Sequence, residues 1–323
     1  METIIGKVNS DNLDLEVIEK AANIIRKGGI VAFPTETVYG LGASAFDLEA
    51  IDNIFVAKGR PQDNPLIIHV SSIEEVHPLV EQVDEKAKFL MERFWPGPLT
   101  LIFKKSKKVS AKLTGGLDTV AIRMPKHNVA LSLIKYSKVP IAAPSANTSG
   151  RPSPTEAAHV IEDMYGKIDM IIDGGSTGIG VESTVLDLSS DVPTILRPGG
   201  VSLEQLLKVF PKVNCDESIL RDDEKIVPKS PGQKYKHYAP KAKMMVYTGD
   251  LGNIISTITK HAHELTLDGK VVGIMATEET KDYYKEGKIL VVGNRAKKET
   301  IAHNLFKVLR KFDSLGVDVI LGE

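Results

Sequence analysis

The sequence predicts an α/β protein in which a twisted, open sheet of mixed strand direction is followed by a smaller, doubly wound α/β domain. Three observations predict this fold. Up to about residue 210, helical and strand-like segments mix without strict alternation, which favours a mixed sheet. Residues 211–240 are polar, contain several prolines and lack periodicity, which is typical of a linker. Residues 241–323 alternate cleanly between strands and helices.

The first domain, residues 1–210, opens with an amphipathic helix over Leu15–Lys27, which Gly28-Gly29 can terminate. A second helix follows Asp47, a suitable N-cap, and runs towards Lys58. Apolar periodicity predicts further helices over Val83–Phe94, Val129–Lys138 and Thr155–Tyr165. Short apolar runs predict strands at Ile30–Phe33, Leu66–Val70, Leu99–Phe103, Thr119–Arg123, Pro140–Ala143, Asp169–Asp173, Val181–Leu188 and Thr194–Leu196.

The second domain is predicted from a regular order of strands and helices. The predicted strands are Met244–Tyr247, Lys270–Met275, Ile289–Val292 and Val317–Leu321. The predicted helices are Ile254–Leu265 and Thr300–Leu315. No Gly-x-Gly-x-x-Gly motif follows the first of these strands, which argues against a nicotinamide dehydrogenase.

Composition excludes some classes of protein. The 323 residues are enough for two domains with sizeable cores. A net charge of −1 provides no global field that would attract nucleic acid or an anionic membrane, so any anion site must be local. The single cysteine, Cys215, fits a reducing cytoplasm. We find neither a signal-peptide core nor an apolar run long enough to span a bilayer.

The segment Ala57–Pro65 is the strongest indication of function in the sequence. It places Lys58 and Arg60 on one loop that prolines stiffen, directly before an apolar strand. Arginine offers a planar fork for phosphate or carboxylate and lysine offers a point charge, so both can bind one polyanion. A solvated basic loop is the plain alternative, but four more polar loops of the same character follow within the first 200 residues.

Several of these loops leave predicted strands and carry small hydroxyl, amide and glycine residues. Phe33–Gly42 and Ala143–Pro154 can line a small-ligand pocket or bind phosphate and ribose oxygens, although ordinary turns would look similar. The segment Gly174–Gly180 has neither the Gly-Lys-Ser/Thr of a P-loop nor the spacing of a dinucleotide fingerprint. We interpret it first as a flexible turn and second as a ligand loop.

Individual polar residues beside strands give weaker signals. Arg60, Arg123 and Arg197 lie in similar settings, which favours their convergence on one anionic ligand. His69 lies inside an apolar strand, where a histidine is usually a core residue. The sequence contains no Cys/His cluster with metal-ligand spacing and no pairing that suggests a covalent nucleophile, so we predict no protein-built metal site.

Within the linker, the segment Ser230–Pro240 combines cations and aromatic residues in a chain with few aromatics. Such a segment can fold over a pocket as a lid. A basic linker without that role has the same composition, so both interpretations stay open.

Taken together, these segments resemble the YrdC-type threonylcarbamoyl-AMP synthases in their long form with a C-terminal domain. The resemblance covers nearly the whole chain in the same order. It rests on Phe33–Gly42, Lys58-x-Arg60, Trp95-Pro96-Gly97-Pro98, Ser145-x-Asn147, Val181–Thr184, Arg197-Pro198-Gly199 and Pro231–Pro240. It implies a large concave cavity in the first domain and a Rossmann-like second domain. It also implies synthesis of threonylcarbamoyl-adenylate from L-threonine, bicarbonate or CO2, and ATP, with release of pyrophosphate.

The resemblance further implies roles for individual residues, of which Lys58 and Arg60 would face the phosphates as the catalytic pair. The residues implied to bind ATP are Lys58, Arg60, Asn64, Thr119, Ser145, Asn147, Ser153, Arg197 and, closing from the linker, Tyr235. The residues implied to bind L-threonine are Thr37, His69, Arg123, Ala143 through its backbone, and Ser183. Arg123 is the natural partner of the substrate carboxylate.

The residue types suit this chemistry. An amine and CO2 form a carbamate without a protein nucleophile, so cations that neutralise phosphates and a rigid pocket that aligns the attack supply what is needed. Mg²⁺ would travel with ATP rather than occupy a protein cage. A partner enzyme would then transfer the threonylcarbamoyl group to an adenosine beside the tRNA anticodon, in the cytoplasm and without tight binding of nucleic acid by this chain.

Two other functions remain open from the sequence. An RNA-binding module is disfavoured by the net charge and by the lack of interleaved aromatics in the first domain. A carbamoyl-adenylate enzyme with a different acceptor would need a similar cavity. The resemblance also leads us to expect one more strand and a basic helix after Leu321-Gly322-Glu323, so the second domain is expected to be truncated.

Overall fold

The computed structural model describes residues 2–220 and 238–323, which form two compact α/β units. Residues 2–149 with 153–220 make up the first unit, and residues 150–152 with 238–323 make up the second. The predicted lid residue Tyr235 lies outside the described residues, as does most of its segment. In the described part of the chain, no helix is long and apolar enough to cross a membrane.

The first unit contains strands and helices in mixed order. Its strands are β1 (Ile4–Lys7), β2 (Val31–Phe33), β3 (Gly40–Ser44), β4 (Ile67–His69), β5 (Leu99–Lys104), β6 (Thr119–Arg123), β7 (Ile141–Ala143), β8 (Met170–Asp173), β9 (Thr184–Asp187), β10 (Thr194–Arg197) and β11 (Asn214–Cys215). Its α-helices are α1 (Leu15–Arg26), α2 (Leu48–Lys58), α3 (Glu85–Phe94), α4 (Asn128–Ser137), α5 (Ala157–Met164) and α6 (Leu203–Leu207). Short 3-10 turns span His77–Leu79 and Glu217–Leu220.

These strands form one sheet in the order β1-β8-β2-β3-β7-β4-β6-β5-β9-β10-β11. The direction is mixed: β4 runs parallel to β6 and antiparallel to β7, while β5 runs antiparallel to β6 and parallel to β9. The predicted open sheet of mixed direction is therefore confirmed.

The helix that precedes the basic loop begins and ends for local reasons. The Asp47 side chain caps α2 by accepting from the backbone N–H groups of Glu49 and Ala50. Gly59 then ends the helix in the left-handed region, at a φ of 60° that a residue with a Cβ adopts only at a cost. Lys58 is consequently the last helical residue, and Arg60 is the first residue beyond the glycine.

The two faces of the central strands have different surroundings, because side chains alternate along a strand. Ile68 of β4 and Ile122 of β6 belong to the main hydrophobic core. A small separate cluster lies on the opposite face of the same strands and consists of Ile67, Ile102, Ala121, Val185 and Leu196. His69 and Arg123 follow Ile67 and Ala121 by two residues, so they share the face of the small cluster.

Within residues 1–210, two strands were not predicted from the sequence. The short edge strand β1 pairs in parallel with β8, and β3 lies in the interior of the sheet although its sequence is Gly-Leu-Gly-Ala-Ser. A Cβ at Gly42 would come within 2.6 Å of Ile141 Cγ2 and 2.7 Å of Phe33 Cε1. Close packing between strands therefore requires a glycine at position 42, and composition alone does not reveal this.

The predicted linker also begins with ordered elements. Strand β11 lies within residues 211–220 and pairs in parallel with β10, where Asn214 stands opposite Thr194. The short helix α6 precedes it, capped by Ser202 and Gln205 in a reciprocal capping box. Strand β11 therefore extends the first unit beyond the predicted end of its periodic sequence.

The second unit has a small parallel sheet in the order β12-β15-β13-β14. Its strands are β12 (Lys243–Val246), β13 (Val272–Thr277), β14 (Lys288–Gly293) and β15 (Val319–Gly322), and its helices are α7 (Leu251–Leu267) and α8 (Lys298–Ser314). Ile258 of α7 and Phe312 of α8 are fully buried. The predicted smaller α/β domain with alternating strands and helices is confirmed.

Candidate active site

The centre of the candidate site is a pair of residues on neighbouring parallel strands. His69 at the end of β4 stands directly opposite Arg123 at the end of β6. Their side chains are only 4 % and 3 % exposed, although both are polar. Burying a guanidinium costs free energy unless its donors are satisfied, so the surroundings of Arg123 decide what the site can bind.

Arg123 is held by two hydrogen bonds and one ion pair. Its Nε donates to the carbonyl oxygen of Gly97 at 3.2 Å, and its Nη1 donates to Thr37 Oγ1 at 2.9 Å. Its Nη2 lies 2.7 Å from Oε2 of Glu36. That contact lacks hydrogen-bond geometry, and among the described residues Nη2 has no hydrogen-bond partner. Nη2 is thus held by an ion pair alone, and its N–H groups make no hydrogen bond to a described residue.

His69 is kept neutral by its position. Burial, reinforced by the charge of Arg123, lowers the pKa of His69 to about 3. Its Nδ1 lies 3.2 Å from the carbonyl oxygen of Ile67, and the ring of Phe33 meets its ring edge-on at 6.2 Å between centroids. A neutral imidazole at this place can exchange a hydrogen bond with a ligand without adding a second positive charge beside the arginine.

Hydroxyl groups surround this pair. Thr37 Oγ1 lies 2.9 Å from Thr35 Oγ1, and Ser183 Oγ lies 2.8 Å from Thr100 Oγ1. All four side chains are buried. Ala143 ends β7 on the other side of β4, opposite Ile67. The arginine, the neutral imidazole and the hydroxyls together form a small polar pocket wall suited to a compact ligand that carries a carboxylate and a hydroxyl.

Lys58 does not lie on a solvated loop, which was the plain alternative from the sequence. It is 2 % exposed, and its Nζ donates to the carbonyl oxygens of Ser145 and Asn147. In return, the backbone N–H of Ser149 donates to the Lys58 carbonyl at 2.9 Å. Lys58 therefore fixes the loop after β7 to the end of α2, and its charge is placed beneath that loop.

Arg60 lies beyond the helix end and is partly exposed. Its Nη2 donates to the carbonyl oxygen of Pro65 at 3.1 Å, and its guanidinium carbon lies 6.0 Å from the centroid of the Phe55 ring. Nearby in sequence, Asn64 is completely buried, yet neither atom of its amide group has a hydrogen-bond partner among the described residues. A buried amide without partners costs free energy, which a bound polar ligand can recover.

A buried carboxylate links several predicted nucleotide ligands. Glu182 accepts a hydrogen bond from Ser153 Oγ and interacts with the charges of Arg197 and Lys58. Arg197 in turn donates to the carbonyl oxygen and to Oγ of Ser183 at 2.9 Å and 3.0 Å. Burial raises the pKa of Glu182 despite these cations. Glu182 thus connects Ser153, Arg197 and Lys58 in one polar group.

The structure brings together most of the residues singled out in the sequence. Contacts and strand register join the predicted threonine ligands Thr37, His69, Arg123, Ala143 and Ser183 with Arg197 on neighbouring elements. A second group joins Lys58 with Ser145 and Asn147. Thr119 begins β6, at the opposite end of the strand from Arg123, and Tyr235 lies outside the described residues.

Four further polar residues were not singled out as site residues in the sequence. They are Thr35, Glu36, Thr100 and Glu182. The signal for Glu36 was present, since it lies in the same Thr-rich segment as Thr37. Thr100 lies inside an apolar strand and Glu182 follows a glycine-rich turn, so nothing local distinguishes them from ordinary strand and turn residues.

The fold and the site define an α/β enzyme in which one face of a mixed sheet gathers buried cations, a neutral imidazole and hydroxyls. The chain belongs to the Sua5/YciO/YrdC family: residues 23–199 match the model Sua5_yciO_yrdC, described as telomere recombination. Residues 201–323 match Sua5_C, described as the C-terminal domain of threonylcarbamoyl-AMP synthase. The enzyme class is that of the threonylcarbamoyl-AMP synthases, and the predicted relationship is confirmed.

Similar proteins span nearly the whole chain. The threonylcarbamoyl-AMP synthase of Pyrococcus abyssi is 51 % identical over 306 residues, covering 95 % of this chain and 88 % of the relative. The enzyme of the same name from Bacillus subtilis is 48 % identical, covering 95 % of this chain and 87 % of the relative. The crystal structure of P. abyssi Sua5 complexed with L-threonine superimposes with a TM-score of 0.95 at 50 % identity, covering 99 % of this chain and 92 % of that one.

Proposed function

We propose that this enzyme forms L-threonylcarbamoyl-adenylate from L-threonine, bicarbonate or CO2, and ATP, and releases pyrophosphate. The observation that carries the proposal is Arg123, a buried arginine with one guanidinium nitrogen that lacks a hydrogen-bond partner in the described part of the chain. It lies in a fold that matches, at 50 % identity, a relative whose crystal structure contains L-threonine. A guanidinium so placed is suited to bind the carboxylate of an amino acid.

The threonine side of the site would use the residues around Arg123. In the proposed complex, Arg123 binds the α-carboxylate and the hydroxyls of Thr37 and Ser183 add hydrogen bonds. The neutral His69 imidazole and the backbone at Ala143 complete the pocket. Because His69 has a pKa of about 3, it offers a hydrogen bond to the substrate hydroxyl without attracting a competing anion.

The nucleotide side would use the loop that Lys58 anchors, together with Arg60, Asn64, Thr119, Ser145, Asn147, Ser153 and Arg197. Arg60 supplies a planar charge for the phosphates, while Lys58 contributes its charge from beneath the loop. The unpaired amide of Asn64 offers both a donor and an acceptor to the nucleotide. We expect Tyr235 to close over the nucleotide from the linker, which is a prediction for residues beyond those described.

The proposed chemistry has two steps. The threonine ammonium first loses a proton, and the resulting amine forms a bond to the carbon of CO2 and releases its second proton to yield a carbamate. A carbamate oxygen then attacks the α-phosphorus of ATP, and the bond to pyrophosphate breaks. Both reactants of the second step are anions, so positive charge at the phosphates and fixed alignment are the main contributions expected of the protein.

We expect Mg²⁺ to enter with ATP, where it would neutralise part of the phosphate charge. The described residues contain no group of three or more His, Cys, Asp or Glu side chains placed to hold a metal ion. The product is proposed to serve threonylcarbamoylation of the adenosine beside the tRNA anticodon through a separate transfer enzyme. We expect this to take place in the cytoplasm.

The test is to incubate the protein with Mg-ATP, bicarbonate and L-threonine and to follow pyrophosphate release together with the mass of the product. Pyrophosphate that requires all three substrates, with the mass of threonylcarbamoyl-AMP, supports the proposal. Turnover that does not require threonine would instead indicate a carbamoyl-adenylate enzyme with another acceptor. Nucleotide binding without turnover under these conditions would contradict both.

A further inference from the structure

The carboxylate of Glu36 is in an unusual state for a buried acid. Its side chain is 12 % exposed, and both carboxylate oxygens are shielded from solvent. Neither oxygen has a hydrogen-bond partner among the described residues, although Oε2 lies 2.7 Å from Arg123 Nη2. A buried carboxylate without hydrogen bonds is costly, and the ion pair with Arg123 offsets that cost at Oε2 only.

The position of Glu36 is fixed by its backbone, not by its side chain. The carbonyl oxygen of Glu36 accepts from the N–H of Ile179 at 2.7 Å, and the next carbonyl, that of Thr37, accepts from Gly180 at 3.1 Å. Two residues of the glycine-rich segment therefore hold the loop after β2 in place. The carboxylate is consequently presented to Arg123 by a supported loop, and its orientation does not depend on the ion pair alone.

Among the described residues, Arg123 and His127 interact with the charge of Glu36. Arg123 makes the ion pair, and the charge of Glu36 also acts on His127, the residue that precedes α4. His127 is largely buried, its Nδ1 has no hydrogen-bond partner in the described part of the structure, and burial lowers its pKa. Arg123 is therefore the positive charge in direct contact with Glu36.

We propose that Glu36 binds the α-ammonium group of the substrate and thereby selects amino acids. An α-amino acid carries a carboxylate and an ammonium group on the same carbon, and Glu36 and Arg123 present the two complementary charges side by side. Substrate carboxylate on Arg123 and substrate ammonium on Glu36 would make an alternating arrangement of four charges. Each free oxygen of Glu36 would then accept a charge-assisted hydrogen bond that the empty site lacks.

This inference rests on the proposed function for the identity of the amino acid, and it adds a second recognition element to the arginine. It also gives Glu36 a place in the first chemical step. The ammonium must lose its proton before its nitrogen can bond to CO2, and the carboxylate in contact with it is the adjacent group that can accept that proton. Glu36 would therefore touch the reacting atom.

The test compares two ligands that differ at one group. L-threonine and (2S,3R)-2,3-dihydroxybutanoate share the carboxylate and the β-hydroxyl, but the second carries a hydroxyl in place of the ammonium. Binding is measured by isothermal titration calorimetry on the full chain. We expect the wild type to prefer L-threonine by roughly 10- to 100-fold, in line with hydrogen bonds to charged groups. In Glu36→Gln, this preference should fall to about threefold or less, with binding of the dihydroxy acid almost unchanged.

Two variants serve as controls. Glu49→Gln, an exposed glutamate at the start of α2, should keep the preference of the wild type. Glu36→Asp retains the charge on a shorter side chain and should keep part of the preference. Thermal unfolding of all variants checks that the fold is retained.

The outcomes separate the possible roles of Glu36. Equal weakening of both ligands in Glu36→Gln would show that Glu36 only orients Arg123, which overturns the proposal. Unchanged threonine binding in that variant, or a wild type that binds the two ligands equally, would overturn it as well. A wild type that shows the preference but forms no adenylate would instead contradict the proposed function and leave the role of Glu36 standing.

Discussion

Arg123 and His69 stand opposite each other on two parallel strands, and the charge of the arginine helps to keep the histidine neutral. Both side chains are buried on the face of the sheet that the main core does not occupy. One strand pair thus supplies a fixed cation and a neutral hydrogen-bonding ring next to each other. The predictions below follow from this pair and from the groups around it.

Arg123→Lys should impair the use of threonine far more than the use of ATP. Lysine keeps the charge but loses the planar fork, and it cannot make the contacts to Gly97 and Thr37 at the same time. We expect the KM for L-threonine to rise by roughly 100-fold, which corresponds to about 3 kcal/mol of lost interaction. Steady-state pyrophosphate release at varied threonine and varied ATP measures this. An equal rise of both KM values would argue against a specific role in threonine binding.

The buried His69 should make the protein less stable in acid. Its pKa is lowered from 6.5 to about 3, so between these values the unfolded chain binds a proton that the folded chain does not. Above pH 6.5, His69 is neutral in both states and does not lower the free energy of unfolding. As the pH falls from 6.5 towards 3, the free energy of unfolding decreases by roughly 1 kcal/mol per pH unit. Urea unfolding between pH 4 and 7 measures the slope.

The slope of stability against pH is measured for His69→Asn and, as a control, for His77→Asn. Replacing the buried His69 removes the titrating group and should flatten the dependence on pH. Replacing the exposed His77 should leave the dependence of the wild type in place. If His69→Asn and the wild type have the same slope, His69 is not the group responsible.

Lys58→Ala and Arg60→Ala should differ in stability although both abolish adenylate formation. Lys58 is buried, so its replacement removes contacts inside the fold. Its loss leaves the carbonyl oxygens of Ser145 and Asn147 without their donor, which should cost about 2–4 kcal/mol. Arg60 is partly exposed, so its loss should cost less than about 1 kcal/mol.

Chemical denaturation with guanidinium chloride measures this difference, and the pyrophosphate assay is run on the same preparations. Equal stability of the two variants would contradict the anchoring role of Lys58. Activity of Arg60→Ala at the level of the wild type would remove Arg60 from the proposed phosphate site.

Asn64→Leu should retain or increase stability while it weakens nucleotide binding. The amide of Asn64 is completely buried and has no hydrogen-bond partner in the described part of the chain, so an apolar side chain of similar size removes a desolvation cost. We expect a gain of about 0–2 kcal/mol without ligand and a rise of at least tenfold in the KM for ATP. The exposed neighbour Gln62, replaced by alanine, is the control.

Thermal unfolding with and without Mg-ATP measures the stability of Asn64→Leu and its binding of the nucleotide in one experiment. The wild type should be stabilised by the nucleotide and the variant should not. A large loss of stability in the absence of nucleotide would mean that the amide already has a structural partner.

Much of the fold followed from local patterns. Helix α1 was predicted from its apolar spacing and the glycines that follow it, and helix α2 from the aspartate at its N-cap. Strand β6 was predicted over its full length, Thr119–Arg123. Strand β3 was missed because glycines do not indicate a strand by themselves, and its conformation depends on the neighbours β2 and β7.

The sequence also determined which residue types the site would contain. The loops with Lys58, Arg60 and Ser145 were recognised from their composition, and the family relationship followed from the order of the motifs along the chain. Sequence could not show that Lys58 points into the protein, because helix ends and loops are equally compatible with an exposed lysine. Nor could it show that Glu36 pairs with Arg123, 87 positions away along the chain.

The difference between what the sequence determined and what only the tertiary structure decided has a physical reason. Helix periodicity, capping and turn residues are set by neighbours within a few positions, so a single sequence carries them in full. Burial, pKa and the pairing of charges arise from residues far apart in the chain that the sheet brings together. His69 and Arg123 meet only because β4 and β6 pair in one particular register. The neutrality of His69 and the ion pair between Arg123 and Glu36 are therefore properties of the tertiary structure alone.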